Sequence, residues 1–379
     1  MLRIIGLWPP DNQKDHTVIK SKIRLLYSFS MVLFVLAIPA LVSLIRVWGD
    51  MVLMIENLQF TLPIMGATLK IFILSRKQAD LLPLIEMIKR DWIKLKMKEE
   101  RDIMLKRARI IRALTICGLL CGVVLTIIII FTFPCFGLML RQVTNLTDSG
   151  KPLPIPSYYL HDVSKSPQFE LTFLAQGIAV IVCACSYTGT DHLLSLLILH
   201  ICGQLENLYL RLTHLEKYGS FDVALKYNVQ DHIRLIRSVE IIDHTFDLML
   251  LVLVLYFGIL FCLQAFLLVD VINQEGQLSL TQLIWFTSAI VYVSLHMFLY
   301  CAVGEILVIQ SENIHQATYE YPWYNKEAKV ARSLMPIMLC ASKPLYITAG
   351  KIFPMTMSTF CNLLKTSAGY VSVLLTNQG

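Results

Sequence analysis

Seven apolar runs of about 20 residues or more limit the possible folds of this chain more strictly than any other feature of its sequence. A helix needs about 20 apolar residues to cross the hydrocarbon core of a bilayer, which is about 30 Å thick. We therefore predict an all-α membrane protein with seven transmembrane helices. The predicted spans are Leu25–Ile45, Met51–Leu74, Ala113–Leu140, Phe169–Thr190, Phe246–Val269, Leu283–Ile309 and Leu345–Leu375.

The composition excludes most alternatives to a membrane protein. Asp, Glu, Lys and Arg make up only 16% of the chain, against about 25% in a globular protein. So few charged residues cannot cover the surface of a soluble protein. The same composition excludes a disordered chain and a nucleic-acid-binding protein. Motifs such as HExxH, GxSxG and the P-loop do not occur, so we predict no enzyme, no cofactor and no metal site. His192 and His200 are interpreted as structural hydrogen-bonding residues.

The distribution of Lys and Arg predicts the orientation. Positive residues near span ends are retained on the cytoplasmic side, and 26 of the 33 lie in the N-terminal segment and in the loops after spans two, four and six. We therefore predict a cytoplasmic N-terminus and an extracellular C-terminus, which is opposite to a G-protein-coupled receptor, so no G protein is required. The sequon Asn145-Leu146-Thr147 lies in a predicted outer loop, where glycosylation of Asn145 is possible.

The predicted cytoplasmic segments contain amphipathic helices. Their apolar residues recur at steps of three and four, which marks one helix face. Such faces can be buried only against each other, so we predict helical extensions that form an anchor layer below the membrane. The faces are Leu205, Leu208, Leu212 and Leu215 after span four, Leu235, Ile236, Val239 and Ile242 before span five, and Val330, Leu334, Ile337 and Met338 before span seven.

The spans divide the chain into four segments. The segments are a cytoplasmic N-terminal part at 1–24, six spans with their extensions at 25–309, a cytoplasmic anchor segment at 310–344, and a last span with a short extracellular end at 345–379.

Three charged residues lie near the ends of predicted spans, where charges are expected to stay solvated. They are Asp191, Asp270 and Glu305.

Aromatic residues are concentrated in the outer halves of spans two, three, four and six, with few polar groups among them. This composition is typical of a pocket for a small, mostly apolar molecule. The alternative is that these residues fill the membrane core and its aromatic belts. The candidates are Gln59, Phe60, Phe131, Phe133, Phe136, Met139, Phe173, Gln176, Tyr187, Trp285, Ser288 and Tyr292.

Small and polar residues form one stripe along span seven. Their steps of three and four place them on one helix face, which either packs against neighbouring helices or lines a pore. Lys365 favours the pore, because a Lys at that depth costs at least ~2.5–3.5 kcal/mol if it faces lipid. The stripe consists of Thr359, Asn362, Thr366, Gly369, Val373 and Thr376.

The last part of the chain resembles the signature of the insect odorant receptor family. Weaker matches, such as Asp191-His192-Leu193-Leu194 and His232, extend the resemblance over essentially the whole chain. The residues that carry the signature are Gly304-Glu305, Gln310-Ser311, Ala317-Thr318-Tyr319, Trp323-Tyr324, Leu334, Lys343-Pro344-Leu345, Thr348-Ala349-Gly350, Phe360 and the run from Leu364 to Tyr370.

The resemblance implies a receptor for small volatile odorants in the plasma membrane of olfactory neurons. Proteins of this family are similar in having seven helices with the N-terminus inside, and in assembling as tetramers of tuning subunits with a shared co-receptor. The implied assembly is an odorant-gated, nonselective cation channel, lined by the last helix and anchored by the cytoplasmic helices. This implies inter-subunit contacts for Tyr319, Trp323, Tyr324 and Leu334.

The end of the chain resembles the end of the co-receptor, whose hydrophobic gate valine matches Val373. The resemblance implies pore or gate roles for Thr366, Gly369, Val373 and Thr376, although Thr376 stands where the co-receptor has a glutamine. The loop between spans four and five is short here and long in the co-receptor, so this chain resembles a tuning subunit. A gustatory receptor of the same superfamily and a secondary transporter remain alternatives, and a transporter would show inverted repeats.

Overall fold

A computed structural model describes residues 2–8, 15–94, 96–127, 144–148, 150–215, 220–273, 280–325 and 327–378. Within these ranges, side chains are described except at 15–17, 52, 123, 125–127, 265–273, 280–286 and 370–378.

Helices dominate the described structure, and a longer loop without a helix, at 150–167, precedes α7. The first predicted span consists of α2 and α3 joined by a π-helical stretch, Met31–Ala37. The helices are α1 (Leu2–Ile5), α2 (Asp15–Ser30), α3 (Ile38–Arg46), α4 (Met51–Arg76), α5 (Gln78–Ile93), α6 (Lys98–Ile127), α7 (Gln168–Thr213), α8 (Phe221–Asn273), α9 (Leu280–Glu320), α10 (Ala328–Ala341) and α11 (Met357–Gln378).

Among the described residues, five helical segments are long and apolar enough to cross a bilayer. They coincide with predicted spans one, two, four, five and six. The third predicted span, Ala113–Leu140, extends beyond the described part of α6, so the number of seven spans and their orientation stay predictions. The five segments are Val18–Arg46, Leu53–Arg76, Gln168–Thr213, Phe221–Gln264 and Thr287–Asn325.

Helices α7, α8 and α9 are much longer than a bilayer is thick. They contain 46, 53 and 41 residues, which corresponds to about 60–80 Å at 1.5 Å per residue. Their ends therefore extend beyond the membrane, as the amphipathic pattern predicts. Together with α5, α10 and residues 98–112 of α6, the extensions at 196–213, 221–245 and 310–320 form what we call the helical layer.

The apolar faces of the helical layer are buried against one another, which confirms the predicted pattern. Leu205, Leu208, Leu212 and Leu215 all have at most 1% of their surface exposed, and Leu235, Val239 and Ile242 are equally enclosed. Leu334 and Ile337 of α10 belong to the same continuous core. Burial of a large aliphatic side chain contributes about 1.5–3 kcal/mol, so these faces hold the layer together.

A buried charge network also joins the helices of this layer. The carboxylate of Asp91 on α5 contacts His200 Nε2 at 3.0 Å and accepts a hydrogen bond of 2.7 Å from Arg234. Arg234 also pairs with Asp231, which in turn binds Arg211. Burial raises the pKa of Asp91, but the hydrogen bonds and charges of His200 and Arg234 outweigh this effect and hold its pKa below its usual range. His200 therefore is a structural hydrogen-bonding residue, as predicted.

The structure corrects the predicted start of span seven at Leu345. A two-stranded hairpin, β1 (Thr348–Ala349) and β2 (Phe353–Pro354), precedes α11, which begins only at Met357. Gly350 at the turn has a φ of +60°, which a side chain would strain, and it donates its N–H to Asp247 O. The hairpin is fixed to α8 because Asp243 accepts hydrogen bonds from Thr348 and Lys351.

Close contact with α9 fixes the beginning of α11. A Cβ atom on Gly304 of α9 would lie 2.0 Å from the carbonyl oxygen of Met355, so only glycine allows the approach. At the next residue of α9, the carboxylate of Glu305 accepts a hydrogen bond of 3.1 Å from the backbone N–H of Met357. A carboxylate at a helix N-terminus is stabilised by the unpaired N–H groups there. Glu305 therefore has a partner in the chain, which corrects the expectation that it is merely solvated.

Candidate functional site

A mostly apolar cavity of about 300 Å³ lies between α4, α7, α8 and α9. Its volume is at the lower end of the range of about 300–1,000 Å³ that small-molecule sites occupy. The described residues around it are Gln59, Phe60, Pro63 and Ile64 of α4, Gly122 of α6, Pro154 and Ile155 of the loop before α7, Val180, Cys183, Ala184, Tyr187 and Thr188 of α7, Leu253, Tyr256, Phe257, Leu260 and Gln264 of α8, and Ser288, Ala289, Tyr292, Val293, His296 and Met297 of α9.

Five of the candidate pocket residues lie around this cavity: Gln59, Phe60, Tyr187, Ser288 and Tyr292. The predicted pocket had no residue from span five, whereas in the structure α8 forms one wall. The signal was present in the sequence, because Tyr256, Leu260 and Gln264 follow at steps of four and therefore share one helix face.

Two candidates are separated from the cavity. Phe173 lies beside Phe169 in a different, shallow groove on α7, which Leu174, Ile178 and Ile181 also line. Gln176 is completely buried, but its amide binds the loop instead: it accepts from Ile155 N–H at 3.1 Å and donates to Ser157 Oγ at 2.7 Å. Gln176 therefore positions the loop that borders the cavity and does not line it.

The remaining pocket candidates cannot be located. Phe131, Phe133, Phe136 and Met139 lie outside the described residues, as does the side chain of Trp285.

A buried charge cluster lies at one end of the cavity and corrects the expectation for Asp191. Only 2% of Asp191 is exposed, and its carboxylate contacts Lys70 Nζ of α4 and His296 Nε2 of α9, each at 2.5 Å. The hydroxyl of Tyr300 donates a further hydrogen bond. Asp191 was expected to be solvated because it lies near the predicted end of span four, but three helices surround it.

The charge cluster and the cavity share two side chains. Tyr187 and His296 both line the cavity. The Lys70 ammonium lies 3.2 Å from the centre of the Tyr187 ring, and the Tyr187 and His296 rings are 5.3 Å apart. A cation over an aromatic ring is attracted by the negative face of that ring. A molecule in the cavity would therefore contact the residues that hold Lys70 and Asp191.

The stripe on α11 is only partly described. Thr366 and Gly369 are exposed in the single chain, and a Cβ atom on Gly369 would meet no atom within 4 Å. Lys365 is exposed as well. Thr359 instead donates its hydroxyl to Pro354 O at 2.7 Å, so the stripe begins with a local hydrogen bond. The side chains of Val373 and Thr376 lie outside the described residues.

The candidate anchor residues differ in exposure. Tyr319 and Tyr324 are 54% and 70% exposed, and Trp323 is half-buried against Tyr324. Leu334, in contrast, is 1% exposed and packs inside its own chain. The prediction that Leu334 contacts another subunit is therefore wrong, because the apolar face of α10 is covered by the rest of the helical layer.

The predicted glycosylation residue is accessible. Asn145 lies in an exposed turn, where the hydroxyl of Thr147 donates a hydrogen bond to the carboxylate of Asp148.

Across the described part of the chain, no group of three His, Cys, Asp or Glu side chains is arranged to hold a metal ion.

The fold and the cavity define a class: an all-helical, multi-pass membrane protein with a mostly apolar cavity between its helices. The structure is similar to two solved structures of the insect olfactory receptor OR5 from Machilis hrabei, one of them in complex with eugenol. The TM-scores are 0.83 and, for the eugenol complex, 0.81, with 16% and 18% sequence identity; each comparison covers 99% of this chain and 95% of the other. At such low identity, this similarity shows the fold alone.

The sequence comparisons identify the family. The profile of the 7tm Odorant receptor family matches residues 50–368. The chain is 29% identical to Odorant receptor 10 of Aedes albopictus over 56% of this chain and 57% of that protein. It is 25% identical to Odorant receptor Or2 of Anopheles gambiae over 86% of this chain and 85% of that protein. The chain belongs to the 7tm Odorant receptor family.

The relatives also agree with a tuning subunit. The Odorant receptor coreceptor of Aedes aegypti is 26% identical over 40% of this chain, but the match covers only 31% of the coreceptor. The matches to Odorant receptor 10 and Odorant receptor Or2 cover larger parts of those proteins. These matches are consistent with a tuning odorant receptor, and the family to which the chain belongs is a receptor family and not an enzyme family.

Removing one partner of the buried pair should destabilise the protein strongly. In Lys70→Met or Asp191→Asn, an uncompensated polar group stays buried, and breaking a buried pair costs about 3–5 kcal/mol. The double variant should lose much less stability than the sum of the losses in the two single variants. Thermal unfolding of the detergent-solubilised protein, followed by size-exclusion chromatography, measures these losses.

Lys165→Met, which breaks the exposed pair with Asp162, serves as the control and should not shift the unfolding transition. Additive losses in the double variant would contradict the coupling.

Proposed function

We propose that this chain is the odorant-tuned subunit of a ligand-gated, nonselective cation channel that it forms with the odorant co-receptor in the plasma membrane. The observation that carries the proposal is the mostly apolar cavity between α4, α7, α8 and α9. Membership of the odorant receptor family supports the sensory role. A structural relative of this chain, OR5 from Machilis hrabei, was solved in complex with eugenol, which supports a small organic ligand.

The ligand is a small, mostly apolar volatile molecule held in the cavity. Phe60, Tyr187, Tyr256 and Tyr292 supply aromatic walls there. Burial contributes about 25 cal/mol per Å² of apolar surface removed from water. A ligand opens the channel only if it binds the open state better than the closed one.

Helix α11 is the proposed pore helix, with Thr366, Gly369, Val373 and Thr376 facing the ions. The exposure of Thr366 and Gly369 in the single chain supports this role, because their face is not used for packing within the subunit. The α11 helices of a heterotetramer would surround one axis, and a ring of Val373 side chains would gate it by dewetting. Tyr319, Trp323 and Tyr324 are proposed contacts between subunits in the helical layer.

Odorant-evoked current should require both subunits. We expect a mixed panel of volatile alcohols, esters, hydrocarbons and eugenol to evoke cation currents in cells that express this chain with the co-receptor, but not in cells with either subunit alone. The current should persist with GDPβS in the pipette, because no G protein takes part. Absence of any current from the pair, or loss of the current with GDPβS, would contradict the proposed channel.

A larger residue in the cavity should weaken the response. Ala289→Phe fills part of the cavity and should raise the concentration for half-maximal current about fivefold or more, since overpacking costs typically 1–3 kcal/mol. Val291→Phe makes a similar change at a 58% exposed position of the same helix and should leave the response unchanged. Surface biotinylation checks that both variants reach the membrane. Equal effects of the two substitutions would argue against this cavity as the binding site.

Replacing Val373 should open the proposed gate. Val373→Ala removes two methyl groups from each gate position and should raise the current without odorant, because a wider constriction wets more easily. Whole-cell current in the presence of the co-receptor measures this leak. Unchanged leak together with an unchanged dose response would exclude Val373 from the gate.

The orientation can be tested at Asn145. If the turn at 144–148 lies outside, Asn145 receives a glycan, and digestion with peptide N-glycosidase should increase the gel mobility of the wild-type protein. Asn145→Gln should migrate like the digested protein. An epitope tag at the N-terminus should be stained only after the cells are permeabilised. Staining of intact cells would overturn the predicted topology.

A further inference from the structure

Two buried glutamines near the cavity have opposite surroundings. Gln176 is 0% exposed, and both ends of its amide are hydrogen-bonded to the loop at 155–159. Gln264 on α8 is 2% exposed and lines the cavity. Its amide oxygen and amide nitrogen are both buried, and neither has a hydrogen-bond partner in the described structure.

An unpaired amide in such a place has a free-energy cost. A buried donor or acceptor without a partner costs about as much as the hydrogen bond it lacks. The α8 wall is otherwise built from Leu253, Tyr256, Phe257 and Leu260. An aliphatic side chain at position 264 would continue this wall without the cost. The amide of Gln264 therefore offers two buried polar atoms that a ligand in the cavity could pair with.

Two other side chains around the cavity, His296 and Tyr187, belong to the charge cluster. His296 Nε2 is bound to Asp191, and Tyr187 lies beside the Lys70 ammonium. Gln264 lies eight residues beyond Tyr256 on the same face, about 12 Å along the helix axis. Its amide makes no hydrogen bond to Lys70, Asp191 or His296, so an otherwise apolar ligand could direct a single polar group toward it.

We propose that the ligand of the cavity is a small apolar molecule that carries one hydroxyl or carbonyl group, and that the amide of Gln264 binds this group. A hydroxyl can donate to Oε1 and accept from Nε2, whereas a carbonyl or an ether can only accept from Nε2. The parent hydrocarbon satisfies neither atom. A site with a buried polar group rejects an analogue that lacks the matching group far better than it distinguishes ligands by one methylene. This inference rests on the proposed function of the cavity.

The test uses matched odorants on the channel formed by the full chain and the co-receptor. Each set contains an alcohol, its methyl ether and the hydrocarbon of the same carbon skeleton, for six-carbon, eight-carbon and phenylethyl skeletons. Within a responsive set, we expect the hydrocarbon to need at least about a tenfold higher concentration than the alcohol for half-maximal current. The ether should lie between them. A hydrocarbon as potent as its alcohol overturns the proposal without any variant being needed.

Variants then assign the preference to Gln264. Gln264→Leu should raise the half-maximal concentration of the alcohol about tenfold and leave that of the hydrocarbon unchanged or lower, so that the preference disappears. Gln264→Met, which is unbranched and of similar volume, should act in the same way and replaces the first variant if that one does not reach the surface. Leu260→Ala on the same wall is the control, because lost packing should weaken all three members of a set alike. If Gln264→Leu also weakens them alike, Gln264 is only a structural residue and the proposal fails.

The proposed function of the cavity and the proposed role of Gln264 can be refuted separately. If no member of any set and no member of the wider panel evokes a current in the co-expressing cells, the proposed function of the cavity is wrong, and the role of Gln264 falls with it. If currents occur and Ala289→Phe reduces them, the proposed function stands. The role of Gln264 then depends only on the difference between alcohol and hydrocarbon.

Discussion

The carboxylate of Asp191 is the contact on which the arrangement of the central helices depends. It is almost fully buried on α7, where Lys70 of α4 and both His296 and Tyr300 of α9 bind it. A charge in a low-dielectric interior is tolerated only when such partners surround it. The contact therefore fixes the positions of α4, α7 and α9 relative to one another, and these helices form three of the walls of the cavity.

This arrangement gives the cavity two different regions. Near Asp191, aromatic rings and a paired charge form a fixed end, and further along α8 the amide of Gln264 lies in an apolar wall. The long helices α7, α8 and α9 continue from the cavity into the helical layer, where the network of Asp91, His200 and Arg234 joins α7 and α8 to α5. Under the proposed function, a ligand-induced shift of α8 would reach the hairpin at Asp243 and thus the start of α11, since each contact is direct.

The sequence predicts those site residues whose chemical type alone marks them as pocket residues. It does not predict residues whose role depends on which other residues they contact. Phe60, Tyr187 and Tyr292 were found because aromatic side chains are typical of apolar pockets. Gln176 and Phe173 were misplaced because nothing in their spacing tells whether a loop or lipid meets them. Leu334 was correctly read as part of an apolar helix face, but the sequence does not say whether the same chain or another subunit covers it. Glu305 was expected to be solvated, whereas it caps α11.

The sequence by itself determined the helical class, most of the membrane-crossing segments, the amphipathic extensions and the family, because these follow from the length and period of apolar runs and from a linear signature. Only the tertiary structure decided that Asp191 is buried, that span seven starts with a hairpin, that α8 forms a wall of the cavity and that Gln264 lacks a partner. The physical reason is that burial and hydrogen bonding are properties of pairs of residues far apart in sequence. Lys70 and Asp191 are separated by 121 positions, and no local pattern connects them.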